Sequence, residues 1–237
     1  MSKKHRTVHL KLVRLWNRIQ KHTPMDDRQR VLQLQCQAMW DVVHSVRLLV
    51  EKNRGVAAFI LCRSIFEYSA ATDVLARSSD PQLLTDYVDS GKLVIYEAGR
   101  AMGADSAWLA AQQKEYDSIK NRIGKKKWHG GRTIEDLINK SQHGQVLQPG
   151  ESGLYKTFYK EASSLSHGDS YVFLSHTPKN GWQLAFDSTD RAAWGVRGLS
   201  LSYQVLAATL DTVQDALGMD LNDKFQALIP DLEALPG

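Results

Sequence analysis

Cysteine is scarce in this chain: two in 237 residues, Cys36 and Cys62. Both fall inside helical patterns, so neither a disulfide framework nor a cysteine-based metal motif is present. The pair reads as two reduced core thiols of a cytoplasmic protein. Long apolar runs are missing as well. None reaches the ~20 residues of a membrane span, and the N-terminal Met1-Ser-Lys-Lys-His-Arg6 lacks a signal-peptide apolar region. No membrane partner is expected. The glycines at 124, 130 and 131 have neither the spacing nor the preceding strand of a phosphate-binding loop. A di-metal carboxylate bundle needs repeated Glu-x-x-His pairs, and the chain has Asp41-x-x-His44 alone. His129, His143, His167 and His176 lie in or beside loops without ligand spacing, so no metal and no cofactor is expected. Ser163, His167 and Asp169 share one short segment, which is no hydrolase triad. No repeat, linker or low-complexity stretch interrupts residues 1–237, which read as a single domain.

What remains is helix. Apolar residues make up 43% of the chain and charged residues 24%, the balance of a soluble globular protein. Residues 5–22 place Leu12, Leu15, Trp16 and Ile19 on one side and Lys11, Arg14, Arg18 and Lys21 on the others. This basic amphipathic helix is expected outside the main bundle. Thr23-Pro24 ends it, and Asp26-Asp27 opens a helix that runs to about Asn53, with His44 on its apolar side. Val56 to Ala76 is apolar almost all round, which suits the middle of a bundle. Helices at about 82–102 and 105–122 follow, then the basic loop Lys125-Lys126-Lys127-Trp128-His-Gly-Gly-Arg132 and a short helix at 133–140. Residues 154–167 form the next helix. A small β-hairpin is expected near 171–186, on the strength of Asn180-Gly181. A long helix from Ser188 or Thr189 to Leu217 and a short amphipathic piece, 220–235, complete an all-α bundle.

Two places carry chemistry. Arg63 and Glu67 interrupt the apolar third helix four residues apart, on one face. Burial of both would cost several kcal/mol each before any attraction is returned, and losing Glu67 alone is then expected to cost roughly 3–5 kcal/mol. The pair reads either as an ion pair that fixes helix register or as a dyad opening into a pocket. In the second place, Leu154, Phe158, Ala162 and Leu165 form a core face. Tyr155, Tyr159, Ser163 and His167 form a neighbouring stripe at the core edge, which Gly168 ends. Convergence of the two places would suit phosphodiester cleavage without a metal. His167 would be the general acid or base, Arg63 the cation on the phosphate, and Glu67 its orienter. Tyr159 or Ser163 would hydrogen-bond the phosphate or the 2′-hydroxyl. Lys125, Lys126, Lys127 and Arg132 would hold a phosphate backbone, and Trp128 would stack a base. A net charge of +4 and a pI near 9.0 permit a polyanionic partner without demanding one.

Arg63-Ser-Ile-Phe-Glu67, the Lys127-Trp128 loop and Tyr155-x3-Tyr159-x3-Ser163-x3-His167-Gly168 occur in that order. They resemble one bacterial all-helical family recorded only as a domain of unknown function, across roughly residues 30–215. More distantly, the Tyr/Ser-rich helix ending in His is similar to the HEPN superfamily, many of whose members are metal-independent ribonucleases active as dimers. That resemblance implies an endoribonuclease or toxin of a bacterial toxin–antitoxin or antiviral defence system. It also implies RNA as substrate, a homodimer, and an antitoxin or other defence protein as partner. The HEPN signature has an arginine shortly before the histidine, where this chain has Lys160, Glu161 and Ala162. Lys160 or Arg63 would take that place. The alternative reading is a non-catalytic helical module that binds a partner protein or a small anionic ligand.

Overall fold

A helix that is apolar on every side must be surrounded, and the architecture follows from surrounding one. The computed structural model describes residues 1–124, 128–129, 136–137, 158–167 and 188–236, and of residues 160, 161, 167 and 188–191 the backbone alone. The described helices are α1 (Lys3–Lys21), α2 (Asp27–Glu51), α3 (Gly55–Arg77), α4 (Pro81–Ala101), α5 (Ser106–Ile123), α6 (Lys160–His167), α7 (Ser188–Ala216), α8 (Asn222–Gln226) and α9 (Ile229–Glu233). The fold is all-α, with no strand among the described residues. The hairpin expected near 171–186 lies outside them.

The chain divides into two compact units, residues 1–76 with 137–237, and residues 77–136. In the first, α3 buries Ala58, Phe59, Cys62, Ile65, Phe66, Ala70 and Leu75. Against it lies α7, which buries Leu199, Tyr203, Leu206, Leu210 and Val213. Two glycines set how closely these helices approach. A Cβ at Gly195 would stand 3.1 Å from Gly55 Cα, and one at Gly198 would stand 3.1 Å from Cys62 Sγ. Polar groups inside the contact are matched. Cys62 Sγ lies 3.3 Å from the Gly198 carbonyl and from Ser202 Oγ, and Thr209 Oγ1 lies 2.8 Å from Ser69 Oγ. Burial pushes both cysteine thiols up to about 12, which keeps them protonated and unreactive.

The N-terminal helix is a correction to the sequence reading. It does not sit outside the bundle but packs on α2 and α7. Val8, Leu12, Leu15, Trp16 and Ile19 are each 4% exposed or less, and burying such a side chain stabilises by about 1.5–3 kcal/mol. Its amphipathic stripe is therefore satisfied within the fold. Ser2 caps the helix by accepting from the His5 amide, and His5 Nε2 shares a 2.9 Å hydrogen bond with Ser200 Oγ on α7. Further along, His9 stacks on Trp40 of α2 with ring centroids 5.8 Å apart. The C-terminal helices α8 and α9 are tied back to α1: Lys11 donates to the Ala227 carbonyl and pairs with Asp231, and Lys4 donates to the Ala234 carbonyl. His44 also departs from expectation, since it is exposed beside buried Val43.

The second unit is the hairpin of α4 and α5. Asp80 and Asp105 cap its two helices. Tyr96 stacks on Tyr116 at 4.3 Å, and Arg122 pairs with Asp86 and Asp89. Trp128 is half-buried and packs edge-on against Tyr87, centroids 5.0 Å apart, so the ring anchors the chain to α4.

Acid should loosen the α1 contact. Burial lowers the pKa of His5 below 6.5, helped by the N-terminal ammonium. Burial lowers that of His9 likewise, helped by Arg47 and His44 and opposed by Glu51. The unfolded chain therefore binds protons more readily than the folded one, and stability must fall as pH drops below 6.5. Thermal unfolding followed between pH 7 and 5 checks this. His9→Phe, which keeps a ring on Trp40, should flatten the profile, and an unchanged slope would refute the assignment.

Candidate functional site

Arg63 and Glu67 stand one turn apart on the edge of α3 that faces α6. Arg63 Nε donates to Glu67 Oε1 at 2.9 Å. The same oxygen accepts from the Tyr159 hydroxyl at 2.8 Å, so one carboxylate oxygen ties α3 to the start of α6. The Arg63 guanidinium lies over the Tyr159 ring, 5.4 Å from its centroid. Arg63 Nη1 also reaches Ser166 Oγ at 3.4 Å, while Ser166 donates its own proton to the Ser163 carbonyl at 2.7 Å. Ser166 is the residue before His167. Of the stripe predicted on α6, Tyr159 therefore meets the dyad predicted on α3.

The dyad is less enclosed than an all-apolar helix implies. The side chains of Arg63 and Glu67 are 31% and 36% exposed. They lie at the rim of α3, where α6 covers them on one side. The cost expected of a fully buried pair does not apply, because solvent screens charges at this depth. Tyr159 moves the opposite way. It was placed at the core edge, yet the residue is 6% exposed, and only its hydroxyl reaches out to Glu67. Burial, and then the bond to Glu67, pushes its phenol up to about 12. Tyr159 thus stays a hydrogen-bond donor at physiological pH. The Arg63 guanidinium is held charged: burial opposes this, but its bonds to Glu67 and Tyr159 outweigh the loss and raise its pKa.

A second arginine lies against Phe158, the residue before Tyr159. Arg197 of α7 places its guanidinium 4.4 Å from the Phe158 ring centroid. Phe158 in turn packs 6.2 Å from Phe59, whose ring meets Trp194 edge-on at 4.6 Å. Consecutive residues Phe158 and Tyr159, in a π-type widening at the entry to α6, each carry an arginine from a different helix. No periodic pattern singles out Arg197. The usable signal is the Gly195 and Gly198 spacing, which brings α7 close to α3.

Of the remaining sequence-predicted residues, Ser163 is half-buried and Ala162 fully so. The side chains of Lys160 and His167, and all of Lys125, Lys126, Lys127 and Arg132, lie outside the described residues. Among the described residues, no group of three or more His, Cys, Asp and Glu side chains is placed to hold a metal ion, and no helix is long and apolar enough to cross a membrane.

Residues 31–181, well over half of the chain, match the model of a family of unknown function, DUF5677. The chain belongs to that family. In this DUF5677 protein the matched span contains Arg63, Glu67, Tyr159, Ser166 and His167, while α1 and Arg197 fall outside it. No curated protein and no solved structure matches.

Glu67 and Tyr159 should prove energetically coupled. Each of Glu67→Ala and Tyr159→Phe is expected to cost about 1 kcal/mol, since the pair is partly solvated. The double variant should cost at least ~0.5 kcal/mol less than the sum. Urea unfolding of the four proteins gives the cycle, and strict additivity would show that the shared oxygen contributes nothing.

Proposed function

We propose that this chain is a metal-independent endoribonuclease whose reacting groups are Arg63 and His167, with Glu67 and Tyr159 as positioning residues. One observation carries the reading. The guanidinium of Arg63, fixed by Glu67, reaches the turn of α6 that ends in His167, through Ser166. Cleavage of an RNA phosphodiester needs a cation on the non-bridging oxygens and a group that titrates near neutrality, and these two residue types supply both. The imidazole of His167 takes the proton of the 2′-hydroxyl, and the 2′-oxygen attacks phosphorus. The bond to the 5′-oxygen breaks, that oxygen takes a proton from water as it leaves, and the His167 imidazolium returns its proton to the hydroxide so formed. The products are a 2′,3′-cyclic phosphate and a 5′-hydroxyl. Lys160 and Ser163 lie on the same helix as His167 and serve the substrate, as do Lys125, Lys126, Lys127, Trp128 and Arg132. The resemblance to HEPN ribonucleases supports a homodimer and a toxin or defence role, with an antitoxin or other defence protein as partner.

A second reading rests on the same geometry. Glu67 already neutralises Arg63, which suits a non-catalytic module that binds a small anion or a partner protein. The two readings separate in one assay. With chelator present, wild type should cleave total RNA or tRNA, and His167→Ala should lose about 10²–10⁴-fold in rate with an unchanged circular dichroism spectrum. Arg63→Ala should lose activity, and Arg63→Lys should recover part of it. Wild-type protein that leaves RNA intact in both monomeric and dimeric fractions would overturn the ribonuclease reading. An anion-dependent rise in Tm would then support the second.

A further inference from the structure

The charge of this protein is unevenly placed. Residues 1–22 hold seven Lys and Arg and no Asp or Glu, whereas the whole chain nets only +4, so the other 215 residues net −3. All seven cations lie on α1. Two of them, Lys4 and Lys11, are used within the fold on the C-terminal helices. The other five, Lys3, Arg6, Arg14, Arg18 and Lys21, are exposed. Among the described residues none of the five is in an ion pair. Lys3, Arg14, Arg18 and Lys21 recur at helical spacing on one face, opposite the buried stripe, and Arg6 flanks them.

We propose that this exposed face of α1 binds the phosphate backbone of a nucleic acid. Three classes of partner attract such a face, and two fit poorly. A basic amphipathic helix on a membrane must bury its apolar side in lipid, but that side of α1 is already buried against α2 and α7. A protein interface needs an apolar core with aromatic anchors, and the only large exposed apolar residue on α1 after Met1 is Leu10. Five cations along a rigid helix with no acid among them meet the requirement of a polyphosphate strand. This surface belongs to unit 1, lies outside the family-matched residues 31–181, and does not depend on the ribonuclease reading.

The test is fluorescence anisotropy with a labelled single-stranded RNA and a DNA of the same sequence, using His167→Ala protein so that binding is measured without cleavage. Five phosphate contacts contribute about −3.5 to the log–log salt slope on a single strand between about 50 and 200 mM. The variant R14A/R18A/K21A should fold normally, since none of the three is paired. Its slope should be shallower than wild type by about 2.1, and it should bind about 100-fold more weakly near 0.1 M salt. RNA and DNA should respond alike, because the contacts are to phosphate. A wild-type slope shallower than about −1 would overturn the assignment. So would unchanged binding by the triple variant, restriction to one sugar type, or a preference for phosphatidylserine vesicles over either strand. Lost binding leaves the cleavage assay standing, and lost cleavage leaves this measurement standing.

Discussion

Where α7 crosses α3, side chains are missing on purpose: Gly195 and Gly198 let the two backbones approach at distances that a Cβ would obstruct. That approach places Cys62, Ser202 and the Gly198 carbonyl in mutual contact, and Ser69 beside Thr209 further along. Hydroxyls buried this deeply are stabilising only when paired, so the pairs fix the register of one helix on the other. Everything else in the first unit is applied to this core. α1 and α2 cover α7, and α6 lies along the remaining edge of α3. The candidate site is that edge.

An edge position resolves the apparent conflict of a charged pair on an apolar helix. Fully buried, Arg63 and Glu67 would face a desolvation penalty that their attraction need not return. At about a third exposed, they keep part of their hydration and still find a protein partner in Tyr159. The phenol is buried and donates outward, so the carboxylate is oriented by a group that cannot itself ionise at physiological pH. The outcome is a guanidinium fixed in place on a surface that solvent can reach. Arg197 of α7 lies over Phe158, the residue before Tyr159, so a second cation reaches the entry of α6 from an independent helix.

How much of this was legible in the sequence depends on how local the signal was. The helices from α1 to α5 follow from periodicity and caps, and their ends fall within a residue or two of expectation because Asp26, Asp80 and Asp105 are side-chain caps. Convergence of Arg63 and Glu67 with Tyr159 could be anticipated, because two otherwise apolar faces each carried a polar interruption. Burial depth could not. Whether a residue on an apolar helix sits at the centre or the rim depends on which neighbours arrive, and the neighbours of Arg63 and Glu67 come from far along the chain, Tyr159 being 92 residues from Glu67. The same limit hid Arg197, whose role comes entirely from lying across from Phe158. It also misplaced α1: an amphipathic stripe shows that one face is buried, not which helices bury it.

The pH behaviour of the site follows from the inventory of groups around it. Arg63 is held charged by its bonds to Glu67 and Tyr159, and Tyr159 is held neutral by burial and by Glu67, against the pull of Arg63. A network of this kind supplies constant charge and constant geometry, and cannot supply a proton near neutrality. Arg63 and Tyr159 therefore act as a scaffold whose charge states do not change across the physiological range.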